Sequence, residues 1–305
     1  MTSTYHEPVM LSESVDALEI RKDGVYVDVT FGGGGHSQAI LDRLNEKGRL
    51  FAFDQDEDAL KNEIKDKRLT LIRHNYRYLK NFLRYYNVLP VNGILADLGI
   101  SSFQINEATR GFSLRFNASL DMRMNRESLL TAAEVVNTYS EIDLVKIFSQ
   151  YGEVFNAKTL ARKIIAARKD KRINDINEFR SILFDCADKQ RETQYYAKVF
   201  QALRIEVNDE MESLKNMLAQ SAHVLSPNGR LVVISYHSLE DRLVKNMIAK
   251  GKFEGVIEKD LFGNANNSPF IAVNKKPIEA SDEEVKKNPR ARSAKLRIAE
   301  RREHV

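Results

Sequence analysis

The sequence predicts an α/β fold, a Rossmann-like sheet with an inserted, mainly helical domain. Three observations lead to this prediction. Short β-branched runs alternate with helical stretches, a glycine-rich turn directly follows the first run, and a long stretch without strand character separates the fourth run from the fifth. Strands that alternate with helices are typical of βαβ units and a parallel sheet.

Five hydrophobic runs are expected to form the sheet. Each is short and rich in Val, Ile, Leu or Phe, as expected for parallel strands buried on both faces. They are VYVDVTF (25–31), RLFAFD (49–54), LTLIRH (69–74), VNGILADLG (91–99) and GRLVVISYH (229–237). Segments 253–258 and 270–274 are candidates for two closing strands, and helices are expected over 208–225 and 239–250.

The fifth run begins roughly 130 residues after the fourth ends, far more than a crossover between neighbouring strands needs. The intervening residues show helical periodicity, with Leu144, Ile147, Phe148 and Tyr151 on one face. We therefore predict a discontinuous sheet domain, 1–106 with 206–305, and an inserted helical domain, 107–205, for substrate recognition.

Composition describes an ordinary globular protein of 305 residues, 43% of them hydrophobic and 30% charged, with one cysteine and a net charge of +4. We expect a cytoplasmic protein because no membrane-spanning run or signal peptide is visible. No metal is expected, since the six histidines are scattered. Basic residues cluster in 157–172 and in the tail 286–305, which favours a polyanionic partner.

The glycine-rich turn VDVTFGGGGHS (27–37) predicts a close approach of main chain to a ligand. Asp54, at the end of the second run, is placed to accept hydrogen bonds from ribose hydroxyls. Ser37 stands where the dinucleotide motif has Gly or Ala, which favours S-adenosylmethionine over a nicotinamide dinucleotide. Gly34, Gly35 and His36 would then line the methionine end of the cofactor.

The fourth run ends in ADLGISSFQ, which places Asp97, Ser101 and Gln104 at the carboxyl edge of the sheet. Ligands of open α/β sheets bind at this edge. A functional role is favoured for Asp97, because an aspartate without partners among apolar residues would be costly. Tyr76, just after the third run, is a candidate to stack on an adenine ring.

In their order along the chain, these motifs resemble the RsmH (MraW) family of small-subunit rRNA cytosine-N4 methyltransferases. The resemblance spans nearly the whole chain and rests on eight segments. They are HEPVMLSE (6–13), DVTFGGGGHS (28–37), DQDEDA (54–59), DLGISSFQ (97–104), RGFSLRFNASLDMRM (110–124), FQALRIEVNDEM (200–211), ISYHSLEDRLVK (234–245) and NPRARSAKLRIAER (288–301).

The resemblance implies a class I methyltransferase sheet and S-adenosylmethionine-dependent N4-methylation of a cytidine in the decoding region of 16S rRNA, within the small ribosomal subunit. The implied cofactor contacts are Gly34, Gly35, His36, Asp54, Tyr76, Asp97 and Gln104. Two departures concern RNA docking: TQYYAKV replaces an H-P-A-T-R-type segment before FQALRI, and Asn117 stands where Asp is common.

No catalytic base is assigned from the sequence, and Asp97 is the candidate. Since a target cytidine must be splayed from its neighbours, an aromatic side chain could stack on it. Phosphate contacts are expected from the tail and from the basic helix 157–172. The candidate substrate contacts are Ser101, Phe103, Phe112, His237, Arg290, Arg292, Lys295 and Arg297.

Three other classes stay open at this point. A nicotinamide-dependent oxidoreductase would share the loop and Asp54, whereas a non-catalytic ribosome assembly factor would bind RNA without consuming cofactor. A methyltransferase of DNA or protein amines would differ through the insert and tail. Neither a membrane nor an obligate protein partner is expected.

Overall fold

The computed structural model describes residues 8–255 and 268–303. The chain divides into two compact units. The first contains the residues up to Gly99 together with those from Met211 onward, and the second contains Ile100–Glu210. The second unit is thus an insertion in the first.

The first unit is built on a sheet that contains eight strands among the described residues, in the order β3-β2-β1-β4-β5-β8-β6, with β7 also paired to β8. Strands β1 to β5 are parallel to one another, and β8 is antiparallel to β5, β6 and β7. Their bounds are Val25–Asp28, Arg49–Asp54, Leu69–Arg73, Val91–Asp97, Leu225–Ser235, Phe270–Ala272, Ile278–Glu279 and Lys295–Arg301.

Hydrophobic clusters cover both faces of this sheet. Successive strand residues point to opposite faces, and on β5 Leu231 and Val233 join one cluster while Val232 and Ile234 join the other. The same alternation separates residues of β2 and β4. Burial on both faces explains why the strand sequences are hydrophobic throughout.

The helices of the first unit follow the strands in sequence, as in βαβ units. Helix α10 begins at the boundary between the units. The helices are α1 Leu11–Ala17, α2 Gly35–Leu41, α3 Leu79–Tyr85, α10 Glu210–Val224, α11 Ser238–Lys250 and α12 Asp282–Lys287. Short 3-10 turns cover Ala59–Asn62, Tyr76–Tyr78 and Pro289–Ser293.

The second unit is mainly helical and has its own hydrophobic core. Side chains of Thr131, Ser140 and Asp175 accept main-chain hydrogen bonds at the starts of three helices, which fixes where those helices begin. The helices are α4 Ser102–Asn106, α5 Ala132–Thr138, α6 Glu141–Gln150, α7 Ala157–Asp170, α8 Ile176–Phe184 and α9 Glu192–Asn208, with a 3-10 turn over Ala108–Arg110.

The prediction of a Rossmann-like α/β sheet with an inserted, mainly helical unit is confirmed. The units divide at Ile100 and Glu210, whereas the sequence placed the insert at 107–205. The difference arises because α4 and the turn that follows it belong to the insert, and because α9 continues to Asn208. None of the helices in the described part of the chain is long and apolar enough to cross a membrane.

The helix predicted over 208–225 is confirmed as α10, which begins at Glu210 because Asp209, with a φ of 48°, ends α9. Two other details of the predicted elements need correction. A strand forms at Phe270–Ala272, but 253–255 are not in a strand and 256–258 lie outside the described residues. The tail, expected to be a basic surface, supplies strand β8 instead.

Candidate cofactor site at the carboxyl edge of the sheet

Three adjacent strands of the first unit end in aspartate. Asp28 ends β1, Asp54 ends β2 and Asp97 ends β4. Because β1 pairs in parallel with both β2 and β4, the three carboxyl groups lie along one edge of the sheet. Ligands of open α/β sheets bind outside this edge. The two aspartates chosen from the sequence, Asp54 and Asp97, are both here.

The glycine-rich turn leads from β1 into α2 along the same edge. Gly34 has a φ of 78°, and a Cβ there would lie 3.0 Å from the Phe31 ring. A Cβ on Gly35 would lie 2.2 Å from Pro8 Cγ. Both positions therefore require glycine, one for its conformation and the other for the space that a side chain would occupy.

Asp54 holds this turn against the end of β2. Its Oδ2 accepts a hydrogen bond of 2.8 Å from the main-chain N–H of Gly32, and its Oδ1 accepts one of 2.9 Å from Asp56. A carboxylate offers about four acceptor positions, so each oxygen keeps room for a ligand hydroxyl. Burial raises the pKa of Asp54 to about 7, and repulsion from Asp56 and Asp28 adds to the rise.

Asp28, which the sequence reasoning missed, is the buried anchor of the turn. Its Oδ2 accepts a hydrogen bond of 2.7 Å from the Ser37 hydroxyl, and its Oδ1 accepts from the Thr30 N–H at 3.0 Å. Thr30 Oγ1 in turn accepts from the main-chain N–H of Asp97 at 2.7 Å. Burial raises the pKa of Asp28. This network ties the turn to the end of β4.

Asp97 lies between an imidazole and a phenol. The Tyr236 hydroxyl donates to Asp97 Oδ1 at 2.7 Å, and Asp97 Oδ2 lies 3.8 Å from Nδ1 of the buried His36. Burial raises the pKa of Asp97 to about 6, while His36 and the Tyr236 hydroxyl act in the opposite direction. Tyr236 is a second residue of this edge that the sequence reasoning missed.

The tautomer of His36 follows from its other contact. His36 Nε2 lies 3.2 Å from the carbonyl oxygen of Val9. A carbonyl can only accept, so Nε2 carries the proton in the neutral ring and Nδ1 presents a lone pair toward Asp97. Two acceptors thus face each other, and a ligand group with several N–H bonds, such as an ammonium, is suited to this position.

The charge of the edge discriminates between cofactor classes. Asp28, Asp54 and Asp97 are buried or half-buried, and repulsion among these and neighbouring carboxylates contributes to their raised pKa values. A dinucleotide would bring two further negative charges to this edge. S-adenosylmethionine brings a sulfonium and an ammonium against one carboxylate, so it is cationic overall. The acceptors of this edge therefore fit it and disfavour the nicotinamide cofactor.

The predicted adenine contact, Tyr76, begins the 3-10 turn that follows β3 and is half-buried against the core. Asn75 holds this segment in place. Its Oδ1 accepts from the Arg77 N–H at 2.9 Å, and its Nδ2 donates to Gln55 Oε1 at 2.9 Å. The residues after β2 and β3 are therefore joined, which fixes the backbone on which Tyr76 is carried.

Ser101, Phe103 and Gln104 belong to the second unit. Ser101 Oγ accepts from the Gln104 N–H at 3.2 Å, and Gln104 Oε1 accepts from the Ser101 N–H at 3.0 Å, a reciprocal cap of α4. Gln104 is buried, whereas Phe103 is 41% exposed. Phe112 packs against the core of the insert, with the Arg110 guanidinium 5.8 Å from its ring centre.

The comparisons with known proteins match the MraW methylase family over residues 3–302. The chain belongs to the MraW methylase family. A protein of Bacteroides thetaiotaomicron named ribosomal RNA small subunit methyltransferase H is 56% identical over 98% of each chain. Its namesake in Flavobacterium johnsoniae is 53% identical over 99% of this chain and 100% of that one. The resemblance inferred from the motifs is confirmed.

In this MraW methylase, the predicted phosphate contacts of the tail have different surroundings. Arg297 is buried and donates to both carboxylate oxygens of Asp241, at 2.6 and 3.1 Å. This ion pair joins β8 to α11 and corrects the prediction that Arg297 contacts phosphate. Lys295 is half-buried on β8, Arg290 is half-buried in the 3-10 turn before it, and Arg292 is exposed there.

His237, the other predicted substrate contact, is the N-cap residue of α11 in this MraW methylase. Its Nδ1 accepts a long hydrogen bond of 3.4 Å from the Glu240 N–H, and its Nε2 lies 3.2 Å from Glu240 Oε1. Both contacts lie within one helical turn. The structure therefore gives His237 a capping role.

The basic helix α7 is largely neutralised within the second unit. Arg162, Lys163, Lys171 and Arg172, on or just after α7, pair with Glu141, Asp185, Glu178 and Glu134. Arg168 donates to two main-chain carbonyls, at 2.8 and 2.9 Å. Among the described residues, Lys158 and Lys169 are exposed cations of α7 outside these pairs, and the phosphate contact of the helix stays a prediction.

Proposed function

We infer that the protein transfers a methyl group from S-adenosylmethionine to the N4 amine of a cytidine in the decoding region of 16S rRNA. The observation that carries this inference is the whole-chain match to small-subunit rRNA methyltransferases at 53–56% identity. The carboxyl groups of Asp28, Asp54 and Asp97 at the sheet edge support it independently, because these acceptors and their charge suit a cationic nucleoside.

In this proposal the adenosine is held from the carboxyl ends of β2 and β3. Asp54 accepts hydrogen bonds from the two ribose hydroxyls, using the acceptor positions that Gly32 and Asp56 leave. Tyr76 stacks on the adenine, and Gln104 is kept as a further proposed cofactor contact. Gly34 and Gly35 allow the main chain to approach the ligand.

His36 and Asp97 receive the amino-acid end of the cofactor. The lone pair of His36 Nδ1 and the Asp97 carboxylate face the same space and accept hydrogen bonds from the ammonium. When bound, S-adenosylmethionine supplies an electrophilic methyl group on a cationic sulfur. The residues of the edge position that group.

The N4 amine of cytosine is a weak nucleophile, since its lone pair is delocalised into the ring. Positioning the amine supplies much of the required help, and an acceptor for its protons supplies electrostatic stabilisation as positive charge develops. Asp97 and the main-chain carbonyls of 98–101 are the candidate acceptors. Asp97 serves best when ionised, at a pH above about 6.

The insert is proposed to recognise the substrate within the small ribosomal subunit. Phe103 is an exposed aromatic side chain on α4 that is able to stack on an unstacked base. Exposed cations of each unit, Lys158, Lys169 and Arg292, are able to hold phosphates. This substrate places the enzyme in the cytoplasm.

The test is methyl transfer from labelled S-adenosylmethionine to small subunits isolated from a strain that lacks this gene, followed by nucleoside analysis. The proposal predicts label in N4-methylcytidine, at a single site of 16S rRNA. Label in another nucleoside or in ribosomal protein would contradict it. Binding of subunits without any transfer would instead indicate an assembly factor.

A further inference from the structure

Tyr236 connects two parts of the first unit that are far apart in sequence. It lies between β5 and α11, and its hydroxyl donates a hydrogen bond of 2.7 Å to Asp97 Oδ1 at the end of β4. In the described part of the chain, Tyr236 is the one residue whose side chain donates a hydrogen bond to the Asp97 carboxylate.

The main chain and the ring of Tyr236 both have close neighbours. The main-chain N–H of Tyr236 donates to Oε2 of the buried Glu240 at 2.8 Å. The ring packs against a hydrophobic cluster of the sheet and lies beside Gly99, where a Cβ would come within 3.2 Å of it. A side chain at position 99 would therefore crowd the phenol.

The hydroxyl is a donor over the whole physiological range of pH. Burial raises the pKa of Tyr236 well above 10, and the neighbouring carboxylates Asp97, Glu240 and Glu284 add to the rise. A neutral phenol facing an ionised carboxylate can only donate to it. The hydrogen bond therefore favours the ionised form of Asp97.

Other charged groups face Asp97 from three further elements. His36 on α2 lies 3.8 Å away and, when protonated, favours the ionised carboxylate, whereas Asp28 on β1 and Glu240 on α11 oppose it. In the neutral tautomer described above, His36 Nδ1 offers Asp97 no proton. His36, when protonated, and the Tyr236 hydroxyl both offset burial, and the phenol does so through a direct hydrogen bond of 2.7 Å.

We propose that Tyr236 is a positioning residue for methyl transfer, whose hydroxyl holds the Asp97 carboxylate in one orientation and in its ionised form at the ligand-binding edge. This role rests on the proposed function, because it acts through the part that Asp97 plays toward cofactor and amine. Tyr236 itself touches neither in this account.

The first test measures the titration midpoint of the Asp97 carboxyl group. Protein labelled with ¹³C in the aspartate carboxyl group is titrated by NMR without cofactor, and the Asp97 signal is assigned with Asp97→Asn. The midpoint is expected at about 6 in the wild type. In Tyr236→Phe, which keeps the ring, it is expected about 1 pH unit higher, since a hydrogen bond to a charged group is lost.

Tyr139→Phe is the matched control. Tyr139 also donates its hydroxyl to a carboxylate, Glu206 Oε1 at 2.7 Å, but within the second unit. This variant loses the same kind of bond and is expected to leave the Asp97 midpoint unchanged. If Tyr236→Phe does not fold, 3-fluorotyrosine at position 236, a stronger donor, is expected to lower the midpoint instead.

The second test is the pH profile of methyl transfer. In Tyr236→Phe the acidic limb of kcat/KM is expected to move to higher pH with the carboxyl midpoint, which lowers kcat/KM about fivefold at pH 6 and very little at pH 8. An unchanged midpoint, or a shifted midpoint with an unchanged limb, would overturn the proposal. A wild-type protein that binds S-adenosylmethionine but never methylates rRNA would instead refute the proposed function. The NMR titration would still report whether Tyr236 lowers the pKa of Asp97.

Discussion

The carboxylate of Asp54 and the main-chain N–H of Gly32 are joined by a hydrogen bond of 2.8 Å. This bond ties the carboxyl end of β2 to the glycine-rich turn after β1. The group proposed to bind the ribose therefore also holds the turn that lies beside the cofactor. Binding and loop geometry are consequently coupled through one side chain.

Replacing Asp54 by alanine should weaken S-adenosylmethionine binding by at least about 100-fold. Two hydrogen bonds to a charged acceptor are lost, each contributing about 1.5 kcal/mol or more. Isothermal titration at pH 8 measures the effect. Asp66→Asn is the control, because Asp66 is paired with Arg68 just before β3. This variant should bind cofactor like the wild type. Equal affinities for Asp54→Ala and wild type would exclude the ribose role.

Cofactor affinity should depend on pH in a defined direction. Burial raises the pKa of Asp54 to about 7 in the ligand-free protein. Two hydroxyls bind best to the ionised form, so affinity should level off above about pH 8 and fall below pH 7 with a slope that approaches tenfold per pH unit. Protonation of Asp97, whose pKa is about 6, should steepen the fall at lower pH. Titrations between pH 5.5 and 8 measure this, and a flat profile would contradict it.

Gly34→Ala should lower both stability and cofactor affinity. The residue has a φ of 78°, and its new Cβ would press on Phe31 at 3.0 Å. The conformation alone costs about 1 kcal/mol, and the displaced turn should weaken binding about tenfold. Gly255→Ala shares a positive φ, 87°, but meets no crowding closer than 3.7 Å. It should lose stability yet bind normally, and equal affinity in both variants would refute a role for the turn.

Arg297 and Arg292 should behave in opposite ways. Arg297→Ala leaves Asp241 buried without its partner, which should cost about 3 kcal/mol of unfolding free energy. Arg292 is exposed, so Arg292→Ala should preserve stability but weaken RNA binding and flatten its salt dependence. Thermal denaturation and RNA binding at several salt concentrations separate the two effects. Loss of RNA affinity without loss of stability in Arg297→Ala would contradict this and support the phosphate contact predicted from the sequence.

The strands and the cofactor edge were predictable because their signals are local. Hydrophobic runs mark β1 to β5, and an aspartate at the end of a strand can be seen without knowing its neighbours. Strand β8 was missed because charged residues interrupt its sequence, KLRIAER. Two of these charged side chains have partners within the fold. Arg297 donates to the Asp241 carboxylate, and Arg301 donates to the Ala222 carbonyl.

What could not be predicted depends on partners that are distant in sequence. Tyr236 and Asp97 are 139 residues apart. Glu141, the partner of Arg162 in the basic helix, is 21 residues away, and Asp185, the partner of Lys163, is 22 residues away. Composition shows the charge of a segment but not how folding neutralises it. A basic segment is therefore weaker support for RNA binding than an aspartate at a strand end is for a ligand.

The most direct measurement is an equilibrium titration of the wild-type protein at pH 8 with S-adenosylmethionine and, separately, with a nicotinamide dinucleotide. The account predicts binding of S-adenosylmethionine, its loss in Asp54→Ala, and no measurable binding of the dinucleotide, because a buried edge of three aspartates opposes its phosphates. Tighter binding of the dinucleotide than of S-adenosylmethionine, or equal affinity of Asp54→Ala and the wild type for S-adenosylmethionine, would contradict it.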